Sequence, residues 1–179
     1  MRFLTEADVR RHLTMARAIE LVEAGLRHWS AGTADNHPRR RLQLDLSATL
    51  HYMAAVDLES GYLGAKIYTT HPKTPAHFLV LLYAADGAPL AVIEANALGQ
   101  IRTGAASGVA TRHLARPDAR VVGLIGSGFQ AETQLEAVAQ VRPLELVRVY
   151  SRRPENRERF AAAMAQRLGL AIEAVDSAE

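Results

Sequence analysis

An α/β protein in two parts is what the sequence predicts: an α+β portion over residues 1–116, then a partial doubly wound parallel sheet over 117–179. Three observations carry that expectation. Residues 121–131 run an apolar, β-branched segment straight into a glycine-rich turn that opens a helix. From residue 121 onward, strand-like and helix-like segments alternate, as they do in a parallel sheet with crossover helices. Between residues 41 and 93, by contrast, strand-length runs follow one another with turns between them, which predicts an antiparallel or mixed sheet.

Taken in order, Thr5 and Thr14 are N-cap candidates, and residues 15–31 place Ile19, Val22, Leu26 and Trp29 on one stripe before Gly32 ends the helix. A polar loop through His37-Pro38 leads into 41–46, where polar and apolar residues alternate as in a strand with one buried face. Further strands are predicted over 50–56, 62–69, 77–84 and 89–93, with Asp86-Gly87 turning the chain between the last two. Asn96 is positioned to cap the next helix. That segment is rich in small residues (Ala97, Gly104, Ala105, Ala106, Ser107, Gly108, Ala110) and keeps Leu98, Ile101, Val109 and Leu114 at roughly helical spacing. It predicts a helix packed closely on another element, despite the roughly 1 kcal/mol that each interior glycine costs relative to alanine. Arg116-Pro117-Asp118 reads as a linker. Beyond it come a strand (121–125), a helix (132–141), a strand (146–150), a helix (154–168) and a strand (170–175). This β-α-β-α-β order is the first half of a Rossmann domain, so the chain is expected to be truncated within that domain.

Composition excludes several classes. At 49% hydrophobic over 179 residues there is ample material for a core. Twenty-one basic and 19 acidic residues give a formal charge of +2, a balance that provides no long-range field for nucleic acid. No run of about 18 apolar residues exists and the N-terminus turns polar at once, so neither a membrane span nor a secretory signal is expected, and the cytoplasm is the expected compartment. Without cysteine there is no disulfide framework and no thiolate chemistry; any redox step must come from a cofactor. His71 and His77 lack metal-ligand spacing, so no metal is expected, and there is no G-x-S-x-G nucleophile turn.

The glycine turn carries the chemistry. Gly126 permits the tight turn, Gly128 removes the Cβ that would block an approaching diphosphate, and Ala131 is the third small position of G-x-G-x-x-A. With Ser127, Phe129 and Gln130 between and after them, these residues present backbone N–H groups at a helix N-terminus to a dinucleotide. The pattern alone is weak; the strand before it and the helix after it give it weight. At the tip of the second strand, where an acidic residue would bind a ribose 2′-hydroxyl, this chain has Ser151-Arg152-Arg153. Two guanidinium groups and a hydroxyl suit a 2′-phosphate, so NADP(H) is the preferred cofactor and NAD(H) the alternative. The bland reading is that both arginines flank the helix begun by Pro154 and point into water.

The segments Tyr52-Met53-Ala54-Ala55, Gly64-Ala65-Lys66-Ile67-Tyr68, His71-Pro72 and Ile101-Arg102-Thr103-Gly104-Ala105-Ala106-Ser107, with residues 122–131, together resemble the ornithine cyclodeaminase/mu-crystallin family over nearly the whole chain. The resemblance implies a substrate-binding and dimerisation domain over 1–116, followed by the first half of an NAD(P)-binding domain over 117–179. It implies that Arg40, Lys66 and Arg102 converge on the substrate carboxylate, with Arg102 and Thr103 also meeting the cofactor. The choice of Arg40 over Arg39 or Arg41 stays open. Lys66, a charge in an apolar strand, is expected in a cleft, where desolvation would let it exchange protons as a catalytic group. Glu94 would either orient one of these cations or cap the next helix. The activity implied is that of a homodimeric NAD(P)H-dependent imino acid reductase or amino acid dehydrogenase acting on a small amino or imino acid. The alternatives are an ornithine cyclodeaminase with bound NAD and a non-catalytic ligand-binding protein of mu-crystallin type. Two departures stand out: residues 69–74 lack the asparagines often seen in that loop, and the family's catalytic aspartate in the second half of the cofactor domain has no counterpart, so the chain is expected to be catalytically incomplete.

Overall fold

The computed structural model describes residues 1–44 and 47–179. The chain forms two compact units: Met1–Thr14 with Glu23–Gly99, and Met15–Val22 with Gln100–Glu179. The division falls inside two helices, α2 (Met15–Ala31) and α3 (Asn96–Leu114), whereas the three-stranded parallel sheet begins only at Val121.

In the first unit, β1 (Arg2–Leu4) precedes α1 (Glu6–His12), and after α2 come β2 (Ala34–Asn36), β3 (Arg40–Leu44), β4 (Ala48–Asp57), β5 (Tyr62–Thr70), β6 (Phe78–Ala84) and β7 (Pro89–Glu94). They form one seven-stranded sheet in the order β1-β7-β6-β5-β4-β2, with β3 also on β4. The sheet is mixed, because β1 joins β7 in parallel while the other pairs are antiparallel. β2 and β3 share one edge, β2 pairing with residues 55–57 of β4 and β3 with 48–52. The buried face expected for the strand over 41–46 is absent from its described part: all five residues of β3 are exposed, Leu42 at 60% and Leu44 at 73%. As an edge strand paired only to β4, it has nothing in this unit to cover it. Asp45 and Leu46, the end of that predicted strand, lie outside the described residues.

The starts of α1 and α3 are secured by carboxylates. Thr5 and Asp8 form a capping box on α1, with Asp8 accepting the Thr5 N–H at 3.0 Å and the Thr5 hydroxyl accepting the Asp8 N–H at 3.3 Å. The Glu6 carboxylate accepts the N–H groups of Asn96 and Ala97 at 2.7 Å each, so α3 is capped from α1 and not by Asn96. Glu94 does neither of the things expected of it; its side chain accepts the Glu6 N–H at 2.8 Å and so ties α1 to the end of β7.

In the second unit, β8 (Val121–Ile125), β9 (Leu146–Tyr150) and β10 (Ala171–Ala174) make a parallel sheet in the order β10-β9-β8, crossed by α4 (Phe129–Val141) and α5 (Pro154–Leu168). Leu135, Leu144, Val147, Val149, Phe160 and Met164 form its core, with Val122, Leu124 and Ala131 packed against them. The predicted α/β class and the β-α-β-α-β order are what the structure has. α4 starts three residues before the expected 132, because Gly128 is its extended N-cap and the Ala131 N–H turns back onto the Gly128 carbonyl at 2.9 Å.

The glycines of α3 have a steric cause. A Cβ on Gly104 would lie 2.3 Å from the Thr133 carbonyl oxygen, and one on Gly108 would lie 2.9 Å from Cδ1 of Ile19 and 3.2 Å from Cβ of Ala137. Close packing of helix backbones therefore outweighs helix propensity here. The Arg142 guanidinium closes the other end of α3, donating to the carbonyls of Thr111 and Ala115 at 2.8 Å each. Of the stripe predicted on α2, only Ile19 is buried; Leu26 and Trp29 are 45% and 59% exposed.

Candidate functional site

In the second unit, β8 delivers the chain into the glycine turn. Gly126 has φ +111°, a conformation that side chains with a Cβ rarely adopt, and its N–H donates to the Tyr150 carbonyl at 2.7 Å. Gly128 is extended, and the space its Cβ would occupy is open, so here glycine keeps a hollow clear and strain is not the reason for it. The first turn of α4 follows. Its Ala131 N–H is already bonded, and the Phe129 and Gln130 N–H groups lie ahead of the first internal helix bonds. Phe129 and Gln130 are exposed.

The structure brings this turn beside the tip of β9. The Ser127 hydroxyl donates to that of Ser151 at 2.9 Å, and the Ser151 hydroxyl donates to the Arg153 carbonyl at 3.3 Å. A hollow of about 560 Å³ is lined by Gly126, Ser127, Gly128, Ser151, Arg152 and Arg153 among others. Both arginines are exposed. What sequence reasoning missed is Arg157. It is 7% exposed, donates to the Ser151 carbonyl at 3.0 Å, pairs with Asp176, and lies 5.8 Å from the centre of the Tyr150 ring. A buried arginine in the first turns of α5 leaves no periodic signal, yet it fixes the strand tip. On α3, Arg102 is exposed, and the Thr103 carbonyl accepts from the Gln134 amide at 3.4 Å.

In the first unit, register assembles a different kind of site. His51, Tyr68 and Phe78 are directly paired across β4, β5 and β6. His51 stacks on Tyr68 at 4.5 Å and 7°, and Tyr68 meets Phe78 at 4.5 Å and 34°. Lys66, two residues before Tyr68 and therefore on its face, is half-buried, with Nζ 4.7 Å from the Phe78 ring centre and 5.6 Å from that of Tyr68. A Cβ on Gly99 would come within 3.5 Å of that Nζ, so the start of α3 also borders the ammonium group. Of the three arginines, Arg39 lies against the Tyr68 ring, its guanidinium 5.8 Å from the ring centre, and Arg41 is paired across the strands with His51. Arg40 pairs with Tyr52, and Tyr52 with Ile67, which by strand alternation is the face opposite to Lys66.

His51 was not singled out by the sequence. It is 8% exposed, its Nε2 is 2.9 Å from the Thr70 hydroxyl, and its buried Nδ1 has no partner among the described residues. Burial, and then the charges of Arg41 and Arg39, hold its pKa below the ordinary 6.5. A sequence signal was nonetheless present, since three basic residues precede a strand in which a histidine alternates with apolar residues. In the loop after β5, His71 Nδ1 accepts the Lys73 N–H at 3.1 Å and so organises a turn.

A parallel sheet whose first crossover helix opens at a glycine turn, joined in one chain to a mixed sheet, defines an α/β protein of the doubly wound class. The ornithine cyclodeaminase/mu-crystallin family model matches residues 1–179, and the chain belongs to that family. It is 33% identical over 166 residues to an alanine dehydrogenase of Archaeoglobus fulgidus, covering 89% of this chain and 51% of that protein. Among solved structures, the Thermococcus litoralis Delta(1)-pyrroline-2-carboxylate reductase in complex with NADH and L-proline superposes with a TM-score of 0.91 at 36% identity, covering 99% of this chain and 57% of that one. An archaeal alanine dehydrogenase dimer with bound NAD gives 0.89 at 31% identity, covering 97% and 55%. The chain spans about half the length of the curated relatives it matches. Among the described residues, no helix is long and apolar enough to cross a membrane.

Proposed function

We propose that this chain forms part of an NAD(P)H-dependent oxidoreductase that interconverts a small α-imino acid and the corresponding α-amino acid. The observation that carries the reading is the glycine turn, with φ +111° at Gly126 and open space where a Gly128 Cβ would stand, at the N-terminus of α4. Such a cradle fits a diphosphate, with Gly126, Ser127, Gly128, Phe129 and Gln130 around it and Arg102 and Thr103 as further cofactor contacts. The bound cofactor supplies a hydride donor or acceptor. Everything else falls to side chains. Lys66 and Arg39 hold the substrate carboxylate, and the same ammonium group, half-buried against two rings, exchanges a proton with the substrate nitrogen. The relatives support the reaction class, since alanine dehydrogenase and pyrroline-2-carboxylate reductase both act at a carbon bearing nitrogen and carboxylate.

NADP(H) is the preferred cofactor in this reading. Its support is the absence of any carboxylate over residues 150–154 and the two exposed arginines there. NAD(H) is favoured instead by the nucleotides named in the two neighbouring structures. A homodimer is proposed through the exposed edge that carries Leu42, Leu44 and Tyr52, with the archaeal dimer in support.

Turnover decides the reaction. Net oxidation of NADPH with a cyclic α-imino acid is the expected result; ammonia release from a diamino acid without net cofactor change would replace the reductase by a cyclodeaminase.

A further inference from the structure

α4 begins without a side-chain cap, because its N-cap is Gly128. A serine or aspartate there would stabilise the first turn by only about a few tenths of a kcal/mol over glycine, and would fill the hollow that the glycine keeps open. The turn is held from the side instead. Gln100, 2% exposed on α3, donates its amide N–H to the carbonyl of Phe129, the first residue of α4. The Thr133 hydroxyl, on a residue 3% exposed, lies 3.0 Å from the Gln100 carbonyl and donates to it, with the Gln130 carbonyl a more distant second acceptor at 3.3 Å. One turn further along α3, Gly104 brings the two backbones together at Thr133.

We propose that Gln100 and Thr133 are positioning residues for the diphosphate cradle, bracing from α3 the uncapped turn whose Phe129 and Gln130 N–H groups meet the anion. The inference rests on the dinucleotide reading of the glycine turn and deepens it. A buried amide bonded to a backbone carbonyl is retained because leaving either group unpaired is costly, and its direction sets the orientation of the peptide planes beside it. Neither residue lines the hollow beside the glycine turn. Their effect is therefore confined to the phosphate-facing amides, and the adenosine end, which Ser151, Arg152 and Arg153 at the tip of β9 would hold, is unaffected.

The test is an NMR titration of the 179-residue chain with ADP and, separately, with adenosine, repeated on Gln100→Leu, Thr133→Val and Thr133→Ser. Wild type is expected to bind ADP more tightly than adenosine. Gln100→Leu should weaken ADP about tenfold and Thr133→Val about threefold, with adenosine within about twofold of wild type throughout. Thr133→Ser, which keeps the hydroxyl, should behave as wild type. Unchanged ADP affinity in a folded Gln100→Leu, or equal losses for ADP and adenosine, would overturn the brace while leaving the dinucleotide reading intact. If Gln100→Leu does not fold, the Thr133→Val and Thr133→Ser pair decides by the same criterion. Failure of wild type to bind ADP would overturn the dinucleotide reading and the brace together.

Discussion

The glycine turn of the second unit and the cationic platform of the first are built on opposite plans. The turn is made of backbone groups contiguous in sequence, and it depends on what its residues lack: a Cβ at Gly128, and a restriction to negative φ at Gly126. The platform is made of side chains from β4, β5 and β6 and from the segment ahead of β3, and it depends on register. A backbone site tolerates most changes of side-chain chemistry and fails when volume is added. A side-chain site fails when one charge is removed.

The largest effect should come from adding volume to the backbone site. Gly128→Val is expected to reduce coenzyme affinity by at least about 100-fold with the fold retained, read by calorimetry and circular dichroism. On the platform, Lys66→Ala should weaken carboxylate binding roughly 10- to 100-fold while coenzyme affinity stays within about twofold. Arg39→Ala should follow it at about tenfold and Arg40→Ala should change little, as measured with L-proline as the probe. Equal effects of Arg39→Ala and Arg40→Ala would show that strand register does not select between them.

The same contrast explains what was legible beforehand. The turn, β8 and α4 are legible because their signal is local, and the half-buried placement of Lys66 is legible because a charge in an apolar strand needs a reason. Arg39, His51 and Arg157 were not, since each gains its role from a partner far along the chain or across a strand pair: Tyr68 for Arg39 and His51, and Asp176 with the Ser151 carbonyl for Arg157. β1 and β2 leave no mark in the sequence for a similar reason. Three residues carry no period, and what makes them strands is pairing with β7 and β4. The alternation in β3 was read correctly as a strand but wrongly as half-buried, because a sequence pattern reports which face is apolar and not what covers it.

Smaller effects sharpen the comparison. Gly104→Ala pushes a methyl group into the Thr133 backbone, which cannot swing aside as a side chain would; a loss of about 3 kcal/mol is expected, lowering Tm by roughly 6–12 °C. Arg152→Ala with Arg153→Ala should lower the NADPH-to-NADH affinity ratio about tenfold, and an unchanged ratio would place both guanidinium groups in solvent. His51 should make a modest pH-dependent contribution. Its pKa is depressed in the folded chain, so below about 6.5 the unfolded chain takes up the proton first; stability is fully present above that pH and declines as pH falls through the folded value. His51→Phe should therefore flatten the fall in Tm as pH drops below about 6.5.

The central claim is that the backbone amides after Ile125 receive the diphosphate of a nicotinamide coenzyme. Calorimetric titration of the folded chain with NADPH and NADH tests it most directly. One-to-one uptake that disappears in Gly128→Val is the expected result; a folded wild-type chain that binds neither coenzyme would contradict it.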